Sequence, residues 1–94
     1  MTKRKHPNRD KTKCHETKQF LIERYGTTCM LCHNDFGKKI THHHMKPRYS
    51  GGSDDVDNGS LLCERCQNRI HHYDYGTQEY SDLTNEIEDY KVNH

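Results

Sequence analysis

Apolar residues are sparse along this chain and fall in short clusters, each with its own spacing. In "ETKQFLIERY", Glu16 to Tyr25, the residues Phe20, Leu21, Ile22 and Tyr25 recur at helical intervals. Gly26 then supplies a C-terminal cap, so the stretch predicts a short amphipathic helix. Lys39 to Met45 predicts a strand, because Ile40 and Thr41 favour extended backbone and Pro47 bars a helix just before it. "RYSGGSDDVDNGS", Arg48 to Ser60, reads as loop throughout, with Gly-Gly and Asn-Gly turn signals, and the overlapping "SLL" gives a short second strand. A helix follows over "CERCQNRIHHYDY" with Ile70 as its core-facing residue. Leu83, Ile87 and Tyr90 at i, i+4 and i+7 predict a last helix, with Ser81 as its N-cap. That helix is too weakly hydrophobic to stand without a neighbour, and the pattern leaves open whether it docks on its own domain or on a second copy.

With 94 residues, 29% hydrophobic content and no Trp, one small domain is expected, and its apolar core does not offset the ordering entropy of its backbone. Cysteines offer a staple. Cys29 and Cys32 form one CxxC knuckle and Cys63 and Cys66 another, with thirty residues between Cys32 and Cys63. Two such pairs favour a structural zinc over disulfides, since four thiolates satisfy a tetrahedral ion and leave no position for substrate. The plain alternative is four small buried hydrophobes. Cys14 is the odd one, either a substitute ligand or a free, partly exposed thiol, the latter being preferred. No apolar run resembles a signal peptide or a membrane span, which points to a reducing cytoplasm.

Charge adds a polarity that the net value of +1 conceals. Residues 1–48 hold twelve Lys/Arg against four Asp/Glu, and residues 49–94 hold three against ten. A basic arm over residues 1–15 suits a polyanion through counterion release, although a solvated terminus explains it equally well. The expected division is this flexible arm, a central domain over 16–75 and an acidic C-terminal helix or tail over 76–94.

The reactive residues crowd between and just after the knuckles: His42, His43, His44, Asn58, Gln67, His71 and His72, with Lys46, Arg48 and Arg69 interleaved. Adjacent strand residues point to opposite faces, so only a twisted or bulged hairpin end presents both His43 and His44 to one site. Such a site holds one divalent ion from His43 and the following helix, leaving His44 as a base that titrates near neutrality.

"HHMKPRYSGGSDDVDNGSLLCERCQNRIHH", His43 to His72, resembles the HNH nuclease motif: a His before the catalytic His, a Pro three residues on, a glycine pair, an Asn, then CxxC and a helix. The resemblance, from Cys29 to His72, covers nearly half of the chain, and small phage-encoded HNH proteins are similar in size. It implies a small α+β fold, a ββα-metal (His-Me finger) core stapled by a four-cysteine structural zinc and flanked by N- and C-terminal helices. It implies His44 as general base, Asn58 as a brace of the loop that orients His44, and His43 as a ligand of a catalytic Mg²⁺, Mn²⁺, Ni²⁺ or Co²⁺. Lys46, Arg48 and Arg69 would neutralise phosphates of a DNA substrate.

One departure stands out. Gln67 occupies the position after the second knuckle, where the family carries His or Asn, with His71 one helical turn later. Gln67 coordinates weakly, or His71 takes over beside His43, or the site is crippled; His71 is the preferred ligand and Gln67 a further one. His42 and His72 are expected to be bystanders. The leading expectation is a metal-dependent DNA endonuclease that nicks or, as a homodimer, cuts both strands. A zinc-stapled nucleic-acid or protein adaptor without catalysis is the runner-up, and a metal buffer or sensor the third. Phage packaging proteins are a further class of partner that the resemblance leaves open.

Overall fold

The computed structural model describes residues 5–94, with side chains from residue 13 onward. Its elements are α1 (Lys5–Tyr25), β1 (Thr41–His44), β2 (Gly59–Leu62), α2 (Glu64–His71) and α3 (Gln78–Asn93). The expected helix at Glu16–Tyr25 is therefore the second half of a longer one, and the boundary placed at residue 15 falls inside it. Residues 1–4 of the expected basic arm lie outside the described residues. Within α1, Leu21 is fully buried and Thr17 nearly so, whereas Phe20 turns outward at 51% exposure, because one helical face cannot hold three consecutive apolar residues.

β1 and β2 form a two-stranded antiparallel hairpin in unbroken register, His42 opposite Leu61, His43 opposite Ser60 and His44 opposite Gly59. Every residue of β2 is buried, since α1 covers one face of the hairpin and α2 the other. The α1 face demands a glycine: a Cβ on Gly59 would lie 3.0 Å from Leu21 Cδ1 and from His42 Nε2, and 3.2 Å from Thr17 Cγ2. Leu21, Met30, Ile40, Leu61, Leu62, Ile70 and Ile87 make up most of the buried apolar volume.

The connection between the strands is more ordered than a loop. It holds two single-turn 3-10 helices, Arg48–Ser50 and Val56–Asn58. The glycine pair has two separate reasons: Gly51 ends the first turn in the left-handed region at φ 88°, and a Cβ on Gly52 would lie 1.7 Å from the Lys46 carbonyl oxygen. In the first knuckle, His33 rather than a glycine takes the left-handed position, at φ 67°.

α3 is capped by Thr77, whose Oγ1 accepts from the Tyr80 amide, and Ser81 lies one turn inside the helix, not at its cap. Tyr80, Leu83 and Ile87 are buried against the rest of the chain. Tyr80 Oη donates to the Met45 carbonyl at 2.9 Å, and Lys91 Nζ donates to the carbonyls of Val56 at 2.9 Å and Gly59 at 2.7 Å. The C-terminal helix thus docks on its own hairpin.

Candidate active site

The knuckles meet because β2 and the start of α2 run beside the turn after α1; the Met30 amide donates to the Leu61 carbonyl at 2.9 Å. Cys29, Cys32, Cys63 and Cys66 bring their sulfurs within 4.8 Å of one another, and Cys32 Sγ lies 3.9 Å from Cys63 Sγ. A zinc tetrahedron with bonds of about 2.3 Å has edges of roughly 3.8 Å, so the donor set fits that ion. Burial opposes ionisation of Cys29, but backbone N–H groups of Cys32, Cys63 and Leu31 outweigh it and bring the thiol down to about 7. Burial and the neighbouring sulfurs push Cys66 the other way, as expected of a thiol cluster without a cation to share its charge.

On the α2 face of the hairpin, His43 is 2% exposed and faces Gln67 and His71. Gln67 Oε1 receives both rings, His43 Nδ1 at 3.2 Å and His71 Nε2 at 3.0 Å. The Gln67 amide nitrogen donates to Thr41 Oγ1 and to the His42 carbonyl, each at 3.0 Å, which fixes the direction of its oxygen. The two distances to Gln67 Oε1 are close to the roughly 3.4 Å edge of a tetrahedron with bonds of about 2.1 Å, so these residues could hold a divalent ion. His43 Nε2 is buried with no hydrogen-bond partner among the described residues. Burial, and next the charge of His71, push the His43 pKa down to about 4, so the ring is neutral and competent as a ligand at pH 7.

No bulge brings His44 to the same face. The regular register sends it to the α1 side, where its ring stacks on His42 with centroids 4.7 Å apart. The expected twist or bulge that would turn both neighbouring rings to one face is therefore absent from this hairpin: His43 joins the α2 side chains, and His44 stands on the other side of the strand. Both nevertheless line one open cavity of about 250 Å3, with Arg48, Gln67 and His71 around it. His44 Nε2 lies 2.7 Å from Asp54 Oδ1. Asn58 Oδ1 accepts from the Lys46 amide at 2.8 Å, while its Nδ2 donates to the carbonyls of Lys46 at 3.0 Å and Ser53 at 2.8 Å. Asn58 thereby ties the segment carrying Asp54 to the strand end carrying His44.

Arg48 sits at the cavity with Nε 3.9 Å from Asp54 Oδ1. Lys46 and Arg69 are exposed and do not line it. His72 packs edge-on against Tyr73 and does not line the cavity. Three participants escaped the sequence reading. Asp54 is one of three nearby aspartates that nothing in the pattern separates, Tyr49 is an 84% exposed aromatic at the cavity, and His42, expected as a bystander, contacts Cys14 Sγ through Nδ1 at 3.1 Å. Tyr49 alone had a usable signal, a large aromatic in a polar loop beside an arginine.

Residues 29–73 match the family model of the HNH endonucleases. That segment, just under half of the chain, runs from the first knuckle through the hairpin and second knuckle to just past the end of α2 and is similar to the HNH endonuclease domain, on a small α+β fold. No curated protein is significantly similar to the chain.

Proposed function

We propose that the chain is a metal-dependent endonuclease that hydrolyses DNA phosphodiesters. The reading is carried by the meeting over one cavity of two arrangements: three donor atoms from β1 and α2, and the His44–Asp54 pair on the opposite side of the strand. A divalent cation held by His43, Gln67 and His71 would supply positive charge at the scissile phosphate and its leaving oxygen. Asp54 accepts from His44 Nε2–H, which fixes the tautomer and leaves Nδ1 to take a proton from the attacking water. Phosphorus–oxygen bond formation on one side and loss of the 3′ oxygen on the other leave a 5′-phosphate and a 3′-hydroxyl. Arg48 neutralises a phosphate at the cavity, and Lys46 and Arg69 follow the backbone further out. The four-cysteine cluster, filled with zinc, holds the hairpin and α2 in place.

Plasmid relaxation in Mg²⁺, Mn²⁺, Ni²⁺ or Co²⁺ tests the proposal. The wild-type chain nicks supercoiled DNA, and His44→Ala lowers the rate by about 10²–10⁴. Unchanged cleavage in that variant removes His44 from the mechanism.

One observation favours a second reading, a zinc-stapled adaptor without catalysis. Gln67 Oε1 already bonds His43 Nδ1 and His71 Nε2, so one polar partner holds these rings together without an ion between them. Under this reading the wild-type chain is inactive and Gln67→His creates cleavage; a parent that cuts as fast as the variant ends it.

A further inference from the structure

The α1 face of the hairpin carries a second cluster of metal-ligating side chains, separate from the thiol cluster and from His43, Gln67 and His71. Cys14 reaches β1 from the middle of α1, its Sγ 3.1 Å from His42 Nδ1. His42 stacks on His44, and one donor atom from each of Cys14, His42 and His44 lies within 4.8 Å of the other two. All three residues are half-buried, so the donors are shielded yet open to an ion from solvent. His42 Nε2 is buried and has no hydrogen-bond partner among the described residues, so the ring is held in place by packing and by Cys14 alone. The Asp54 carboxylate on His44 Nε2 is the support that a ligating imidazole commonly has on its other nitrogen.

We propose that Cys14, His42 and His44 bind a thiophilic divalent cation, Zn²⁺ above all, and that its occupancy takes His44 out of the nuclease reaction. The inhibitory half rests on the function proposed above; the binding half does not. One thiolate and two imidazoles, with no oxygen among them, suit Zn²⁺ or Co²⁺ and discriminate against Mg²⁺ more strongly than the α2 set, which offers the Gln67 oxygen and no sulfur. The set has three protein donors, leaving the fourth tetrahedral position to water. Binding forms the sulfur–metal bond as the thiol proton leaves to solvent, with no change of oxidation state. His44 Nδ1, the atom assigned to accept a proton from water, is the nitrogen that Asp54 leaves to the ion. Zinc at this place and Mg²⁺ on the α2 face therefore act in opposite directions: the hard ion supports cleavage and the thiophilic one stops it.

The test uses the full chain with its four-cysteine cluster filled by one equivalent of zinc. Titration with Co²⁺ is expected to add a thiolate-to-cobalt charge-transfer band in the near ultraviolet, which the sulfur-free His43–Gln67–His71 donors cannot produce. Cys14→Ser loses the band, and His42→Ala weakens cobalt binding by about tenfold or more; circular dichroism melts verify that both variants fold. A band of equal intensity in wild type and Cys14→Ser, or none in the wild type at saturation, overturns the site. In Mg²⁺-supported nicking, added Zn²⁺ inhibits the wild type over the range in which the second site fills. Each protein is compared with its own rate before Zn²⁺ is added beyond the one structural equivalent, and Cys14→Ser needs about tenfold more Zn²⁺ for the same inhibition. Equal sensitivity overturns the inhibitory half. A chain that cuts no DNA in any metal ends the nuclease reading, and the cobalt titration then decides the site by itself.

Discussion

Because burial and the charge of His71 hold the His43 pKa near 4, the native ring stays neutral over a range in which an unfolded chain, titrating near 6.5, takes up a proton. Stability is therefore fully present above pH 6.5 and is lost as pH falls from there through about 4, because the unfolded state binds the extra proton. The contribution of His43 by the end of that window is on the order of 3 kcal/mol. Urea unfolding between pH 7 and 4.5 should show a steeper loss in the wild type than in His43→Gln; parallel curves would contradict the buried neutral ring. Zinc release in acid is common to both proteins and drops out of the comparison. Asp54 acts at the same scale but through another residue. Asp54→Asn removes the carboxylate that fixes the His44 tautomer, so cleavage should fall about 10–100-fold. Mn²⁺ affinity measured by calorimetry should hold, since no donor on the α2 face is touched. A fall in Mn²⁺ affinity with cleavage unaffected would place Asp54 among the ligands instead. The positions of His43, His44, His71 and Asn58 around the cavity and its loop follow the order of the motif along the chain; Asp54 was not legible, since Asp54, Asp55 and Asp57 share one loop and only its folded path decides which meets His44.

At the scale of elements, the hairpin and the three helices were legible from apolar spacing and turn residues, whereas the places where they touch were not. Thr17 is a polar residue on a polar helix, yet it is buried and its hydroxyl donates to the Asp54 carbonyl, a contact across 37 residues that no local pattern encodes. The same blindness moved the cap of α3 from Ser81 to Thr77, since both are good caps and only the exit of the chain from α2 chooses between them. Gly59 is the most exacting of these contacts. Its φ of −102° is open to any residue, so a substitution there tests packing and not backbone strain. Gly59→Ala pushes a methyl to within 3.0 Å of both Leu21 and His42 and should cost about 1–3 kcal/mol by thermal or urea unfolding. Gly52→Ala should be worse, because the atom in its way is the backbone oxygen of Lys46, which cannot yield without opening the loop. An alanine at 59 as stable as the wild type would mean that α1 does not lie against the hairpin as closely as Leu21 and Thr17 require.

For the whole molecule, the connections made by the two knuckles explain how so little apolar surface holds a fold. The first lies between α1 and β1 and the second between β2 and α2, so one ion held by the four-cysteine cluster would tie the ends of these two helices to the two strands. The remaining link is α3, through Tyr80 on the Met45 carbonyl and Lys91 on the carbonyls of Val56 and Gly59. α3 therefore holds the two ends of the hairpin loop, and the knuckles hold the outer ends of its strands; neither clamp does the work of the other. Removing zinc with a strong chelator should abolish the cooperative thermal transition while α3 contacts are still chemically intact, since structural zinc is worth roughly 10–16 kcal/mol of folding free energy in small domains. Returning one equivalent of Zn²⁺ should restore it, and Mg²⁺ should not, because four thiolates select the softer ion. Cys63→Ser should behave as the stripped protein does, with zinc present, since it removes one corner of the tetrahedron. A stripped chain that still melts cooperatively near the wild-type temperature would mean that the apolar core around Leu21, Leu61 and Ile87 suffices alone, and the thiols would then be packing residues rather than the staple.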